Sequence, residues 1–287
     1  MANLRDIRRR IKSVKNTAQI TRAMQLVAAS KMKKAQDAAL AGRPYAHLMA
    51  KVLGPVAGRI VDFEHPFLEE RTTATRGIIV VSTDKGLCGG LNSNLFREIP
   101  AKDESVKYIT VGRKASQYIS RSGRGLAADF TISDSIHFME VKAVIKFAID
   151  LFINNEIDSV EILYSSFVNT LRQDSRLVPL LPLTSIEDAL QELGIDSTNT
   201  DDREMNYEPS AEAVLKELLP LYVRRQFFSM VQGAKASEHS ARMVAMKSAT
   251  DNANNLIDSL TLDYNKARQA AITQEILEIA AATASNG

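Results

Sequence analysis

Apolar residues recur at steps of three and four from the start of the chain. Leu4, Ile7, Ile11, Val14, Ala18, Thr21, Gln25, Ala28, Met32, Ala35 and Ala39 make one continuous stripe. That spacing is the heptad seam of a left-handed coiled coil and predicts a helix. No glycine or proline interrupts it before Gly42 and Pro44, where a kink is expected, and Gly54-Pro55 reads as a firm stop. About 50 helical residues would span roughly 75 Å. A domain of this size cannot enclose such a helix, so much of it must pack on other chains or project. The pattern returns near the other end in Met243, Met246, Thr250, Ala253, Ile257, Leu260, Tyr264, Ala267 and Ala271. This helix is expected to begin near Pro220, a residue suited to a first turn, and to end near Thr283, a length of roughly 95 Å. Both seams are rich in alanine and threonine, which brings backbones close but buries little area. Leu→Ala at one buried site costs about 2–5 kcal/mol, so a pair built on alanine forgoes much of that stabilisation. It should be stiff only when partners clasp it.

Between the helices the period shortens. Gly77 to Ser82 is a β-branched run typical of a buried strand. Val106 to Val111 and Val160 to Val168 are two more, and Arg176 to Leu183 is a possible fourth. Arg113 to Arg121 and Met139 to Glu156 read as intervening helices. Alternation of strand and helix predicts a small α/β domain with a mostly parallel sheet. The polar, acidic stretch from Gly194 to Glu208 reads as a loop. The expected division is an N-terminal helix over residues 1–58, an α/β domain over 75–200 and a C-terminal helix over 210–287.

Aromatic residues are only 6% and tryptophan is absent, which favours long helices over an aromatic core. The net charge of +2 hides a strong asymmetry. Eleven basic residues face two acidic ones between Met1 and Arg43, a charge of +9. Ten acidic residues face two basic ones between Ser185 and Glu217, a charge of −8. Separation of this kind marks partner surfaces. The single cysteine, Cys88, excludes an intrachain disulfide and fits a reducing compartment. No apolar run reaches the ~18–20 residues of a membrane span, and the basic N-terminus lacks the apolar core of a secretory signal. Any tie to a membrane is therefore expected to run through another protein.

Thr83-Asp84-Lys85-Gly86-Leu87-Cys88-Gly89-Gly90-Leu91-Asn92 follows the first strand and precedes a short helix. Glycines there could free N–H groups for a phosphate. Neither G-x-x-x-x-G-K-[ST] nor G-x-G-x-x-G is present, and Lys85 precedes the glycines, so a tight structural turn is the better reading. Cys88 could be a thiol activated by Lys85, but no histidine lies near it in sequence, and buried filler suits it better. His47, His65, His137 and His239 are scattered without metal-ligand spacing, so neither metal nor cofactor is expected. Glu275 and Glu278 share a helix face and could suggest acid/base work, although ion pairing is commoner in such a helix. The basic first helix admits a nucleic-acid reading. It carries no aromatic before Tyr45 to stack on bases, so an acidic protein surface is the better partner.

Three stretches together resemble one family. I-K-S-V-K-N-T-A-Q-I-T-R-A-M-Q-L-V-A-A-S-K-M at 11–32 is similar to the opening helix of the γ subunits of F-type ATP synthases. S-T-D-K-G-L-C-G-G-L-N at 82–92 resembles that family's turn after its first strand, and 236–253 with 264–276 resembles its C-terminal helix. The resemblance spans nearly the whole chain. It implies a long antiparallel coiled coil of the N- and C-terminal helices plus a small α/β domain. It implies a central rotating shaft inside a ring of alternating α and β subunits. The shaft couples proton flow through the membrane rotor ring of c subunits to ATP synthesis at β-subunit active sites. No catalytic site and no cofactor would belong to this chain. Its expected partners are the α and β subunits, the ε subunit and the rotor ring, without nucleic acid. Its expected place is peripheral, on the cytoplasmic face of a bacterial inner membrane, with membrane contact only through other subunits.

The resemblance also implies individual contacts. Met24 falls in the zone facing the β subunit's acidic lever loop, with Arg22 and Lys31 to Lys34 nearby. Arg242, Gln269, Thr273, Glu275 and Glu278 match C-terminal positions tied to coupling. Arg268 and Gln269 match the pair that meets the ring's catch loops, and Tyr207 and Glu208 match a segment abutting the rotor ring. Ala282 and Thr283 stand where the family usually has glycine then alanine, which favours a continuous helix. The chloroplast members' cysteine-bearing insert is absent, which points to a bacterial type. The rival readings are an α/β enzyme with helical arms, which should bind nucleotide alone, and a basic coiled-coil binder of nucleic acid with a steep salt slope.

Overall fold

The computed structural model describes residues 4–57, 65–69, 71, 72, 74–183 and 207–285. The chain divides into two compact units, one drawn from Met1–Ala29 and Arg242–Gly287, the other from Ser30–Ala241. The first helix, α1 (Leu4–Ala41), and the last, α6 (Ala211–Ser285), contribute residues to both.

The first unit pairs the two helices. Its seam positions, from Leu4 to Ala28 and from Met243 to Ala271, are all buried or half-buried, while most residues between them are exposed. Thr21 and Thr250 bring their hydroxyls to 2.7 Å. An antiparallel register through that pair sets the stripes level member for member: Ala18 with Ala253, Ile11 with Leu260 and Leu4 with Ala267. Beyond Ala271 every residue to Ala281 is exposed, because that register has carried α6 past Leu4.

The second unit is an α/β domain. After α2 (Arg43–Ala57) come β1 (Arg76–Val81), α3 (Leu91–Arg97), β2 (Val106–Val111), α4 (Arg113–Arg121), β3 (Gly125–Phe130), α5 (Phe138–Ile153), β4 (Ser159–Phe167) and β5 (Gln173–Leu181). The five strands run in the order β3-β2-β1-β4-β5. All pairings are parallel except β4 with β5. Alternate residues of β1 serve opposite faces. Ile79 and Val81 join a core with α5 and the first turns of α6, while Ile78 and Val80 join another with α3 and α4. A strand covered on both faces must be apolar throughout, hence the unbroken G-I-I-V-V run.

Four expectations change. The C-terminal helix starts at Ala211 rather than near Pro220, which lies inside it. Ser210 caps the start, its hydroxyl accepting the Ala213 N–H at 3.2 Å. Leu215, Leu219, Tyr222 and Val223 are buried on both sides of the proline, and their burial offsets a backbone penalty of about 3 kcal/mol. Strand β3 went unread because Gly125-Leu126-Ala127-Ala128-Asp129-Phe130 is weak in β-formers and, at an edge, only half covered. The last strand runs from Gln173 to Leu181, with Pro179 tolerated because β5 is also an edge. The expected kink at Gly42 is a break between α1 and α2. Most of the acidic 185–217 stretch, from 185 to 206, lies outside the described residues.

Candidate functional site

The turn after β1 is committed to structure. The first three N–H groups of α4 need acceptors, and successive residues of the turn supply them. Asp84 Oδ1 accepts from Arg113 at 3.1 Å, the Thr83 carbonyl from Lys114 at 3.1 Å, and Ser82 Oγ from Ala115 at 2.8 Å. Gly112, at φ +95°, lets the chain pass so closely that a Cβ would lie 2.5 Å from the Ser82 carbonyl oxygen. Asn92 Nδ2 donates to Thr83 Oγ1 at 2.7 Å and closes the turn. Cys88 is buried beside Leu91 and Ala241. The turn thus acts as an acceptor cap for α4, a structural task.

An open parallel sheet usually binds ligands at the carboxyl ends of its strands, where the strand order reverses. Here that point lies between β1 and β4. Val231, Ala234, Lys235 and Glu238 of α6 fill it, leaving a cavity of about 10 Å³, room for about one water. Lys235 and Glu238 pair at 3.2 Å with side chains only 6% exposed, and Asp84 approaches Lys235 at 3.9 Å. Their i, i+3 spacing was visible in the sequence, but nothing local marks such a pair as buried. Lys31 donates to Asp134, and that bond, aided by the nearby charges of Lys235 and His239, holds the Asp134 carboxyl below the usual carboxylate range.

The residues implied as partner contacts divide between the units. Met24 and Arg242 are half-buried in the helical pair. Arg268, Gln269, Thr273, Glu275 and Glu278 are exposed on α6. Arg268 and Glu278 are ten positions apart on one helix, roughly 15 Å along the axis. Thr273 donates back to the Gln269 carbonyl at 2.9 Å, and Glu278 accepts from Gln274 at 3.2 Å rather than from a cation. Tyr207 is half-buried against the larger core of the α/β domain, and Glu208 beside it is exposed. Ile272, Ile276, Leu277 and Ile279 are all exposed in the same stretch as the polar contacts, and large apolar side chains clustered in this way belong under a partner. Their absence from the heptad stripe was the available signal. Among the described residues no helix is long and apolar enough to cross a membrane, and no histidine, cysteine and carboxylate group could hold a metal.

The profile of the ATP synthase family matches residues 3–285. An ATP synthase gamma chain of Opitutus terrae is 54% identical over 288 residues, covering 98% of each chain. Gamma chains of Methylacidiphilum infernorum and Akkermansia muciniphila are 47% and 45% identical, again over 98% of both. The fold is also similar to the rotor of the Euglena gracilis mitochondrial ATP synthase, with a TM-score of 0.67 at 17% identity, covering 94% of this chain and 98% of that one. A central stalk and c-ring structure from Tetrahymena thermophila gives 0.57 at 25% identity, covering 80% and 99%.

Proposed function

Because the chain belongs to the ATP synthase gamma chain family, the central shaft of that complex, we propose that it couples proton flow through a membrane rotor ring to ATP synthesis at active sites held by β subunits. It catalyses nothing itself. It acts by meeting each β conformation differently, since a partner shifts an equilibrium only through differential contacts.

Within 1–58 and 210–287, the paired parts of α1 and α6 are the ring-facing part, and the domain within 75–200 serves the foot. The exposed end of α6 carries this assignment. Ile272, Ile276, Leu277 and Ile279 need an apolar sleeve, and Arg268, Gln269, Thr273, Glu275 and Glu278 stand in the same exposed stretch. In this reading Arg268 and Gln269 grip the ring, Met24 and Arg242 meet it further down the helical pair, and Tyr207 with Glu208 faces the c-ring. The ε subunit binds the α/β domain. The complex lies peripherally on the cytoplasmic face of a bacterial inner membrane, and this chain reaches the membrane only through its partners.

The test is co-purification. The chain is tagged at its N-terminus and drawn from its native membranes in mild detergent. Recovery of α and β subunits at about three each per copy, with ATPase activity that the chain lacks alone, is the expected result. Recovery of the chain alone, or with nucleic acid, would overturn the proposal.

A further inference from the structure

A second cleft, unrelated to the turn after β1, lies where α1, β4 and α6 meet within the α/β unit. Its volume is about 500 Å³, inside the ~300–1,000 Å³ of small-molecule sites. Arg225 heads it. One guanidinium nitrogen donates to the Gly42 carbonyl at 2.7 Å, a cap on the end of α1. Among the described residues no carboxylate pairs with the rest of the guanidinium, and none of the residues lining the cleft is acidic. Half-buried at the cleft and free of a carboxylate among the described residues, Arg225 can make a charge-assisted hydrogen bond to an anion. Burial lowers the Arg225 pKa from its ordinary value. Across β4 and β5, Arg176 stands opposite Tyr164 and adds positive charge, while Asp174 is held by Arg172 at 2.8 Å.

Gly233 is the second observation. It lies inside α6, where glycine is about 1 kcal/mol worse than alanine. A Cβ built there meets nothing within 4 Å, so no close packing requires the glycine. What it preserves is the space of the cleft, whose other walls are Tyr164, Phe167 and Met230. We infer that this cleft binds a small organic anion, its carboxylate or phosphate head on Arg225 and its flat apolar body against Tyr164 and Phe167. Gln36 and Ser166 offer polar groups at the same cleft for any hydroxyl the ligand carries.

The probe is 4-azidobenzoate, photolysed on the assembled complex, with labelled peptides mapped by mass spectrometry. Saturable labelling within residues 164–167 or 229–236, displaced by benzoate, is expected. Neutral 4-azidobenzyl alcohol should label there at least about tenfold less, the loss of one charge-assisted contact. Gly233→Leu places a side chain in the cleft without removing a contact and should reduce the labelling severalfold in complexes that assemble normally. Arg225→Met should also weaken it, but it removes the α1 cap, so Gly233→Leu decides if that variant fails to assemble. Equal labelling by acid and alcohol, undiminished labelling in Gly233→Leu, or no saturable labelling in the wild-type complex overturns the inference.

Discussion

Gly112 shows how much one residue of the turn carries. Its φ of +95° with ψ of 142° is open to glycine alone, and the Ser82 carbonyl oxygen occupies the place of a side chain. Gly112→Ala should therefore cost at least about 1–3 kcal/mol, read as a fall in the denaturation midpoint of the purified chain. His65 makes a different prediction. Its Nδ1 accepts the Phe67 N–H at 3.1 Å, so the ring is neutral, and burial first, then the charge of Lys216, lowers its pKa from the ordinary 6.5. The unfolded chain then binds the proton before the folded one. The contribution is complete above pH 6.5 and falls as pH drops towards the folded value. Stability measured at pH 8 and pH 5.5 should differ, and His65→Gln should reduce the difference. An unchanged difference would remove His65 from the account. The sequence marked Ser82-Thr83-Asp84 as a turn, but not as the cap of a helix that begins some thirty positions later, because a cap needs its recipient.

Among the elements, the paired helices were the most legible. Heptad spacing is local, and the two stripes carry the same register, so each specifies the other's partner. Ala28 is only 2% exposed on that seam, and Ala28→Leu should overpack it at a cost of about 1–3 kcal/mol. Leucine at the exposed Ala23 should stay within about 0.5 kcal/mol. Equal effects in a melting comparison would mean the seam is not tightly packed. The buried Lys235–Glu238 pair gives the converse test. Lys235→Ala removes the cation held between Glu238 and Asp84, and a loss of about 3–5 kcal/mol is expected. A loss below about 1 kcal/mol would show that solvent reaches the pair. Strand β3 and the start of α6 were illegible for one reason. A half-covered edge strand and a helix carried through a proline are both decided by what packs on them.

At the scale of the molecule, α6 outlasts its partner. Leu4 comes level with about residue 267, and the residues from Ile272 to Ala281, apolar and polar together, are exposed past that level. Replacing Arg268 and Gln269 by alanine changes two exposed side chains, so the melting midpoint of the isolated chain should not move. Assembly, or ATP-driven proton pumping per ATP hydrolysed, should fall. Normal pumping by the double variant would refute the grip assigned to these residues.

The sequence alone determined the helical seams, the central strands, the turn after β1 and the resemblance to a coupling subunit, because each is written in neighbouring residues. Periodicity and glycine placement act over a few positions and survive without a fold. Tertiary structure decided that α6 enters the switch-point crevice of the sheet, and it buried Lys235 and Glu238 there. It also left Arg225 at the head of an open cleft beside Gly233. Burial and charge compensation depend on groups far apart in the chain, so no local pattern announces them.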